Sequence, residues 1–245
     1  MKLKIKMKII TVKCLNDNFS YIVLNEKSNN ACVIDPGEAK PIIDKVRKEK
    51  INLNYILNTH HHNDHVAGNL KLKEMFSCKI LGFENDKDNI PGIDIVVKDR
   101  ELYHNEDFEF ITYHTPGHTK GHVIFHFHKL NCLFTGDTLF SLGCGRIFEG
   151  SYDQMFKSLN IIKNFPKNTM IYFGHEYTLS NSKFCIYHDP ENIRLKNKIF
   201  EVSEKLKNRL STTPTSLKDE LDCNIFLKCK DLNSFSKLRE LKDNF

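Results

Sequence analysis

A short run of the chain concentrates side chains that bind metal ions. Residues 60–65 read His-His-His-Asn-Asp-His and directly follow a short apolar segment at 55–57. On a loop, His60 and His62 can turn to one ion, while Asp64 and His65 turn to a neighbouring one. Imidazole and carboxylate donors together suit Zn, Fe or Mn, and the run holds no Cys that would indicate a closed structural zinc finger. The run therefore predicts an open metal site.

Three further segments place a ligand-type side chain just after an apolar stretch. They are Thr-Pro-Gly-His-Thr with His118, Thr-Gly-Asp-Thr-Leu-Phe with Asp137, and Phe-Gly-His-Glu-Tyr with His175. The glycine before each ligand lets the backbone turn sharply and expose the next side chain. Any one of these segments alone is weak evidence. Four such segments in one chain predict a metal centre at the ends of several strands.

The elements that would carry these ligands are short strands alternating with helices. Strands are predicted near 21–24, 32–34, 55–57, 79–82, 108–113, 122–128, 132–135 and 170–173, and residues 1–9 alternate lysine with apolar residues as a half-exposed strand does. Helices are predicted from Pro41 onward, after residue 65 with Val66, Leu70 and Phe76 facing inward, and at 153–164. Beyond about residue 175, Lys/Asn/Leu-rich helical patterns follow at 190–208, 216–222 and 231–242, with Ser216 and Asp219 resembling a capping box.

Composition narrows the class of protein. The 245 residues are 40% hydrophobic and 27% charged, enough for a substantial core. No apolar run approaches the roughly 20 residues that span a bilayer, so we expect no membrane association. The net charge of +5 is spread along the chain, which argues against nucleic-acid binding. The eight cysteines show no disulfide-type spacing and no secretory signal is evident, so we expect a cytoplasmic protein.

The ligand segments resemble glyoxalase II, the hydroxyacylglutathione hydrolases of the metallo-β-lactamase superfamily. The resemblance runs through Thr-His-His-His-x-Asp-His at 59–65, Thr-Pro-Gly-His-Thr-x-Gly-His at 115–122 and Thr-Gly-Asp-Thr-Leu-Phe at 135–140. It continues through Gly-Cys-Gly-Arg-x-x-Glu-Gly at 143–150, Gly-His-Glu-Tyr-Thr at 174–178 and Arg-x-x-Lys-Asp at 239–243. It extends over essentially the whole chain, including a helical tail that general superfamily members lack.

This resemblance implies an α/β fold, a four-layer αββα metallo-β-lactamase sandwich followed by a small α-helical domain. The catalytic domain would span residues 1–175, and residues 176–245 would form a helical glutathione-binding domain. Two divalent ions per chain are implied, zinc first, with iron or manganese as alternatives. Seven side chains would bind them: His60, His62 and His118 the first ion, Asp64, His65 and His175 the second, with Asp137 bridging.

The implied reaction is hydrolysis of S-D-lactoylglutathione and related S-2-hydroxyacylglutathiones to D-lactate and glutathione, the second step of the glyoxalase pathway. The attacking group would be a metal-bridging hydroxide, with Asp64 and Asp137 as the catalytic carboxylates. Two divalent ions bring four positive charges, of which two carboxylates and a hydroxide neutralise three, so the surplus can stabilise an oxyanion. A departing thiol with a pKa of about 8.5 leaves as thiolate without a dedicated acid.

The resemblance also implies the contacts to glutathione. Four residues would surround its glycine carboxylate end, namely Arg146, Tyr177, Arg239 and Lys242, and Phe148 is a fifth substrate-binding residue. Arg239 and Lys242 are three apart and share one helix face. Arg146 stands where many relatives carry Lys, which keeps the charge and changes the donor geometry. Phe148 stands where many carry Tyr, which removes a phenolic hydrogen bond, although the backbone N–H could still donate. The partner is thus a small glutathione thioester, bound by a monomer, with a dimer as the alternative.

Four neighbours of these motifs carry separate expectations. His61 should point away from the metals, and His122 is either a support for a ligand or an ordinary polar residue. Cys144 lies near the substrate loop and is expected to have no catalytic role. Asp35 could orient a ligand or simply form its turn, and we expect the turn.

Other functions remain open at this stage. A mononuclear-iron persulfide dioxygenase of the same superfamily is the main alternative, although such relatives typically lack this tail with its Arg-x-x-Lys. A metal-dependent nuclease would call for a basic cluster. A member retained only for binding would be expected to lack at least one of the seven ligands, and the sequence has all of them.

Overall fold

The computed structural model describes residues 6–245, which fall into two compact units. The first unit runs to His114 and takes in Gly121–Leu130; the second comprises Thr115–Lys120 and Asn131–Phe245. The lysine-alternating strand expected over residues 1–9 is a strand from Met7 onward, and residues 1–5 lie outside the described part of the chain.

A six-stranded sheet is the centre of the first unit. Its strands lie side by side in chain order: β1 Met7–Cys14, β2 Asn18–Asn25, β3 Asn30–Ile34, β4 Asn52–Leu57, β5 Lys79–Phe83 and β6 Ile95–Val97. The first three are antiparallel, and β3 to β6 are parallel. A further antiparallel ladder joins β7 Leu102–His104, β8 Glu109–His114 and β9 Val123–Phe127. The strands expected at 55–57 and 79–82 are therefore confirmed as parallel neighbours.

Three helices accompany this sheet: α1 Ala39–Glu49, α2 Asn63–Val66 and α3 Asn69–Phe76, and short 3-10 turns occupy Glu84–Asp86 and His128–Leu130. Ile42 and Val46 of α1 and Leu72 of α3 belong to the same buried cluster as Ile22 and Ile56 of the sheet. Burial of this apolar surface anchors both helices on the sheet. The end of β4 is fixed as a result, and the histidine run begins there.

The helix predicted after residue 65 is in fact two helices. Ala67 and Gly68 separate α2 from α3, and the Gly68 N–H donates to the Pro36 carbonyl at 2.8 Å. A side chain at Gly68 would meet the same carbonyl oxygen at 2.6 Å, so the close approach requires glycine. The break changes the helical phase. Leu72 is consequently the buried residue, and the prediction that Leu70 faces inward is wrong, since it is 57% exposed.

The second unit contains a smaller set of strands. They are β10 Cys132–Gly136, β11 Leu139–Phe140, β12 Gly143–Cys144, β13 Met170–Phe173 and β14 Thr215–Ser216. β13 is parallel to β10 and antiparallel to β14, while β11 and β12 form a hairpin. Asp137 and His175 therefore follow adjacent parallel strands at the same edge.

Six helices complete the second unit: α4 Tyr152–Lys163, α5 Thr178–His188, α6 Ile193–Lys207, α7 Leu217–Cys223, α8 Ile225–Lys228 and α9 Leu232–Asp243. The helices expected at 153–164, 190–208, 216–222 and 231–242 are confirmed. The expected cap of α7 is half present, since the Ser216 hydroxyl accepts from the Asp219 N–H at 3.1 Å. α5 was missed, because it begins within the segment read as a ligand loop and has a weak apolar stripe.

Among residues 6–245, none of the helices combines the length and the apolar character needed to cross a membrane.

The phase of α3 gives a matched pair of substitutions. Leu72→Ala should lower the free energy of unfolding by about 2–5 kcal/mol, because a fully buried side chain is lost from the core. Leu70→Ala, two residues away on the exposed face, should change it by less than about 0.5 kcal/mol. Chemical denaturation of both variants measures the difference. Equal effects would contradict the observed phase of the helix.

Candidate metal centre

The histidine run of the first unit follows β4 and continues into α2, and its side chains are packed together. The His60 ring is completely buried, and its centroid lies 4.8 Å from that of His62 and 4.2 Å from that of His65. The Asp64 Oδ2 atom lies 3.6 Å from the His65 Nε2 atom. Asn18 donates to both the side chain and the carbonyl of Asp64, at 2.9 and 3.0 Å, and so fixes that carboxylate. All four predicted ligands of this run are brought together.

Asp35 orients the histidine loop. It follows β3 with a φ of 50° and is almost fully buried. Its carboxylate accepts from the Thr59 N–H and hydroxyl, both at 2.7 Å, and from the His65 Nδ1–H at 3.1 Å. The expectation that Asp35 only forms its turn is therefore wrong. The residue also orients the predicted ligand His65, and its partners Thr59 and His65 lie 24 and 30 positions away along the chain.

The remaining histidines near this loop have distinct surroundings. His122 is fully buried and stacks on the His60 ring, with centroids 4.8 Å apart, so it supports a predicted ligand. The His61 Nδ1 atom lies 2.7 Å from Asp86 Oδ1. His61 is thereby engaged by a buried carboxylate.

In the second unit, Asp137 lies beside two histidines. Its Oδ2 atom is 3.4 Å from His118 Nε2 and 3.3 Å from His175 Nε2. Two donors bound to one zinc ion at about 2.1 Å, with a tetrahedral angle between them, are about 3.4 Å apart. The spacing therefore matches that of ligands sharing an ion.

Glycines make this arrangement possible at two places. Gly136, with a φ of 47°, turns the chain from β10 toward Asp137. A side chain at Gly145 would lie 1.8 Å from the Asp137 carbonyl oxygen, so only glycine lets the loop after β12 pass so close.

The ring orientations fit metal binding. The Nδ1 atoms of His60, His65 and His118 are 3.0, 3.1 and 2.7 Å from the Thr59 hydroxyl, the Asp35 carboxylate and the Arg146 carbonyl, respectively. The carboxylate and carbonyl only accept, and the Thr59 hydroxyl hydrogen points to Asp35, so each Nδ1 is the donor. That leaves the lone pair on Nε2, the arrangement that metal-ligating histidines use. Donor chemistry and orientation thus both suit divalent ions.

A cleft of the second unit collects four of the five predicted glutathione contacts. It has a volume of about 240 Å³ and is lined by Arg146, Tyr177, Arg239 and Lys242, together with Phe140, Cys144, Ser180, Asn181 and Asp243. Tyr177 stacks on His175 with ring planes 4° apart and centroids separated by 4.8 Å. Its ring therefore extends from a predicted metal ligand to the cationic cleft.

Arg239 differs from an ordinary surface cation. It is only 5% exposed, and it donates to the Cys144 carbonyl and to Asp243 Oδ1, both at 2.9 Å. Its guanidinium carbon lies 5.1 Å from the Phe226 ring centroid. Arg239 therefore has a structural role besides the predicted one. Burial raises the pKa of the Cys144 thiol, so this residue is a poor nucleophile, as expected.

Phe148 lies outside the residues that line this cleft. Its ring is 62% exposed and meets the His118 ring edge-on, with centroids 5.2 Å apart. Its backbone N–H donates to the His118 carbonyl at 3.2 Å. In this structure the turn around His118 uses this N–H.

The C-terminal helices fix the hairpin that leads to Arg146. Glu220 of α7 is completely buried and accepts from the Ser141 hydroxyl at 3.0 Å and the Leu142 N–H at 2.7 Å. Asn224 donates to the Gly143 carbonyl at 3.0 Å. Sequence reasoning missed both residues, which are separated from the hairpin by about 80 positions.

Comparison with known proteins identifies the family. The model of the metallo-β-lactamase superfamily matches residues 15–175, and the model of the hydroxyacylglutathione hydrolase C-terminus matches residues 176–245. The hydroxyacylglutathione hydrolase of Pelagibacter ubique is 54% identical over 98% of this chain and 100% of its own length. The chain belongs to the hydroxyacylglutathione hydrolase family. The Rhizobium meliloti hydroxyacylglutathione hydrolase is 41% identical, over 95% of this chain and 96% of that protein.

Solved structures confirm the fold expected of a hydroxyacylglutathione hydrolase. ETHE1 from Myxococcus xanthus aligns with a TM-score of 0.73 at 21% identity, covering 96% of this chain and 90% of that one. The BLEG-1 B3 metallo-β-lactamase aligns with a TM-score of 0.70 at 22% identity, covering 91% and 100%. The fold is therefore the metallo-β-lactamase α/β sandwich with a helical C-terminal region.

The hydrogen bond from His65 to Asp35 can be tested through metal affinity. Asp35→Asn should weaken metal binding about 10–100-fold, because the amide no longer fixes the His65 ring as a carboxylate does. Competition with a coloured chelator measures the affinity. Asp44→Asn on α1 is the control, since Asp44 is exposed and pairs with Lys40 at the surface. Unchanged affinity in Asp35→Asn would show that the loop orients His65 without this carboxylate.

Proposed function

We propose that this protein hydrolyses the thioester of S-D-lactoylglutathione, and of related S-2-hydroxyacylglutathiones, to D-lactate and glutathione. The observation that carries the proposal is the full-length match to curated hydroxyacylglutathione hydrolases, up to 54% identical, including the C-terminal region. Of the seven predicted ligands, those of each unit lie together, and the cationic cleft of the second unit supplies groups that recognise carboxylates.

We propose two divalent ions per chain as the cofactors, with zinc as the preferred metal. His60, His62 and His118 would hold one, Asp64, His65 and His175 the other, and Asp137 would bridge them. The donor set is entirely imidazole and carboxylate, which zinc, iron and manganese all accept. The exposed fraction of each ligand is low except at His62 and Asp64, so the surroundings strengthen electrostatic interactions with bound ions.

Divalent ions held by these residues would supply a low-pKa water and would polarise the carbonyl under attack. The chain keeps the ligand rings fixed through Asp35, Thr59 and the Arg146 carbonyl, so no reorganisation is needed during reaction. Hydroxide would add to the carbonyl carbon to form the C–O bond, and the C–S bond would then break with sulfur leaving as thiolate. The carboxylic acid formed loses its proton, which leaves D-lactate and glutathione as products. A dedicated proton donor for sulfur is unnecessary at a thiol pKa of about 8.5.

The glutathione moiety would lie in the cleft of the second unit. Arg146, Arg239 and Lys242 provide three cations there, and Tyr177 provides a hydroxyl donor. Phe148 would offer its exposed ring to the substrate. We accordingly propose residues 1–175 as the catalytic domain and 176–245 as the glutathione-binding domain, acting as a monomer. All eight cysteines are thiols, which supports a reducing, cytoplasmic location.

Loss of the thioester absorbance tests the proposal, on protein whose bound metal is counted in the same sample. Rapid hydrolysis of S-D-lactoylglutathione with about two ions per chain is the expected result. Two ions without hydrolysis would overturn the substrate. One iron per chain, no hydrolysis and oxygen uptake with glutathione persulfide would instead establish a persulfide dioxygenase.

The bridging role of Asp137 can be tested separately. Asp137→Ala should reduce turnover by at least about 100-fold and lower the number of bound ions, because both ions lose a ligand. Asp153→Ala is the control, since Asp153 pairs with Lys157 on the surface of α4. Elemental analysis and thioester hydrolysis measure the two effects. A variant that keeps activity and metal would refute the bridging role.

The charge on Lys242 makes glutathione binding depend on pH. Burial lowers the pKa of Lys242, and the positive charge of the neighbouring Arg239 lowers it further. The ammonium therefore loses its proton below its ordinary pH range, and affinity for S-hexylglutathione should fall as pH rises through that lowered pKa. Calorimetric titration between about pH 7 and pH 10 measures this fall. Lys242→Arg should remove the Lys242 contribution, leaving only the titration of the ligand itself; identical profiles would contradict the role of Lys242.

A further inference from the structure

One acidic side chain lies in this cleft, where the other charged residues are cations. Arg146, Arg239 and Lys242 line it together with Asp243. A carboxylate repels the anionic ends of a glutathione conjugate, so its presence in this cleft weakens long-range attraction. The contacts of Asp243 with neighbouring side chains indicate a different contribution to binding.

Asp243 joins the two arginines of the cleft. Its Oδ1 atom lies 2.9 Å from Arg239 Nη2 and 3.5 Å from Arg146 Nε. The Arg239 side chain is 6% exposed, whereas that of Arg146 is 58% exposed. A long exposed arginine samples many rotamers, and the loss of this rotamer entropy opposes fixing the side chain. Asp243 ties this mobile guanidinium to a buried one.

The same contacts connect the loop after β12 to helix α9. Arg239 donates through Nη1 to the Cys144 carbonyl and through Nη2 to Asp243, and Asp243 meets Arg146. Cys144 and Arg146 are two residues apart. Arg239 and Asp243, four residues apart on the same face of α9, therefore hold the loop at Cys144 and at Arg146.

We propose that Asp243 is a positioning residue for the ligand carboxylate. It holds Arg146 and Arg239 side by side before the ligand arrives, so that less side-chain freedom is lost on binding. This gain outweighs the loss of one positive charge, which leaves two net charges from three cations and one carboxylate. The inference rests on the proposed function, because it assumes that this cleft receives the glutathione moiety.

The direction in which KM changes in one variant distinguishes positioning from a simple effect of charge. Asp243→Asn removes a negative charge from an anion-binding cleft, so charge alone would lower KM for S-D-lactoylglutathione. Positioning predicts the opposite, a rise in KM of about five- to fifty-fold with kcat changed less than about twofold. Asp222→Asn is the matched control. It makes the same change of net charge but pairs with Arg194 and Lys218 away from the cleft lining, and it should leave KM unchanged.

Two further measurements test the positioning role of Asp243. In an Arg146→Met background, Asp243→Asn should raise KM less than in the native chain, because one of the positioned groups is gone. Calorimetric binding of S-hexylglutathione should show the same loss of affinity in Asp243→Asn, with bound metal unchanged, even in protein that hydrolyses no lactoylglutathione. Absence of hydrolysis by the native chain thus overturns the proposed function alone. A KM and ligand affinity that are unchanged or improved in Asp243→Asn overturn the positioning role.

Discussion

A carboxylate buried at the end of a strand is unfavourable unless donors surround it, and this constraint shapes the ligand loop of the first unit. Asp35 satisfies it with the Thr59 N–H and hydroxyl and the His65 ring. Because these donors must converge, the loop from β4 to α2 is held in one conformation. Gly37 allows the loop to approach, since a side chain there would lie 2.0 Å from the Asp64 carbonyl oxygen.

The same constraint acts in the second unit through Glu220. This carboxylate is completely buried, and its four donors come from the hairpin, from β14 and from the turn after α7: Ser141, Leu142, Thr215 and Asn224. Burial raises the pKa of Glu220, while the hydrogen bonds from Leu142, Thr215 and Asn224 act in the opposite direction. The C-terminal helices therefore fix the position of the hairpin, and with it the position of Arg146. The tail thus supports the loop as well as lining the cleft.

The positions of elements and ligand segments could be predicted from the sequence where a local residue pattern defines them. The ligand segments, strand β13 and helix α9 lie where periodicity and glycine placement predicted them. Long-range partners were not predictable, because no local pattern links Asp35 to His65 or Glu220 to Leu142. The inward face of α3 was misjudged for a similar reason. The break at Gly68 depends on contact with Pro36, 32 positions earlier in the chain, which helical periodicity does not report.

The Phe148 backbone shows the limit of transferring contacts by resemblance. Its N–H could still have served the substrate by the resemblance, and in this structure it closes the turn that carries His118. Arg239 shows the opposite case, because a residue assigned to the substrate also fixes the loop at Cys144. Substitutions at such positions alter structure and binding together, so matched controls are needed to separate the two effects.

We propose that the two predicted ligand sets hold a pair of ions that share Asp137. Electron paramagnetic resonance of the manganese(II)-loaded protein tests it most directly, with the metal titrated from zero to excess. The account predicts saturation at about two ions per chain, with a spin-coupled signal that grows as the second ion binds. Saturation at one ion, or two ions with the spectrum of isolated manganese, would contradict it.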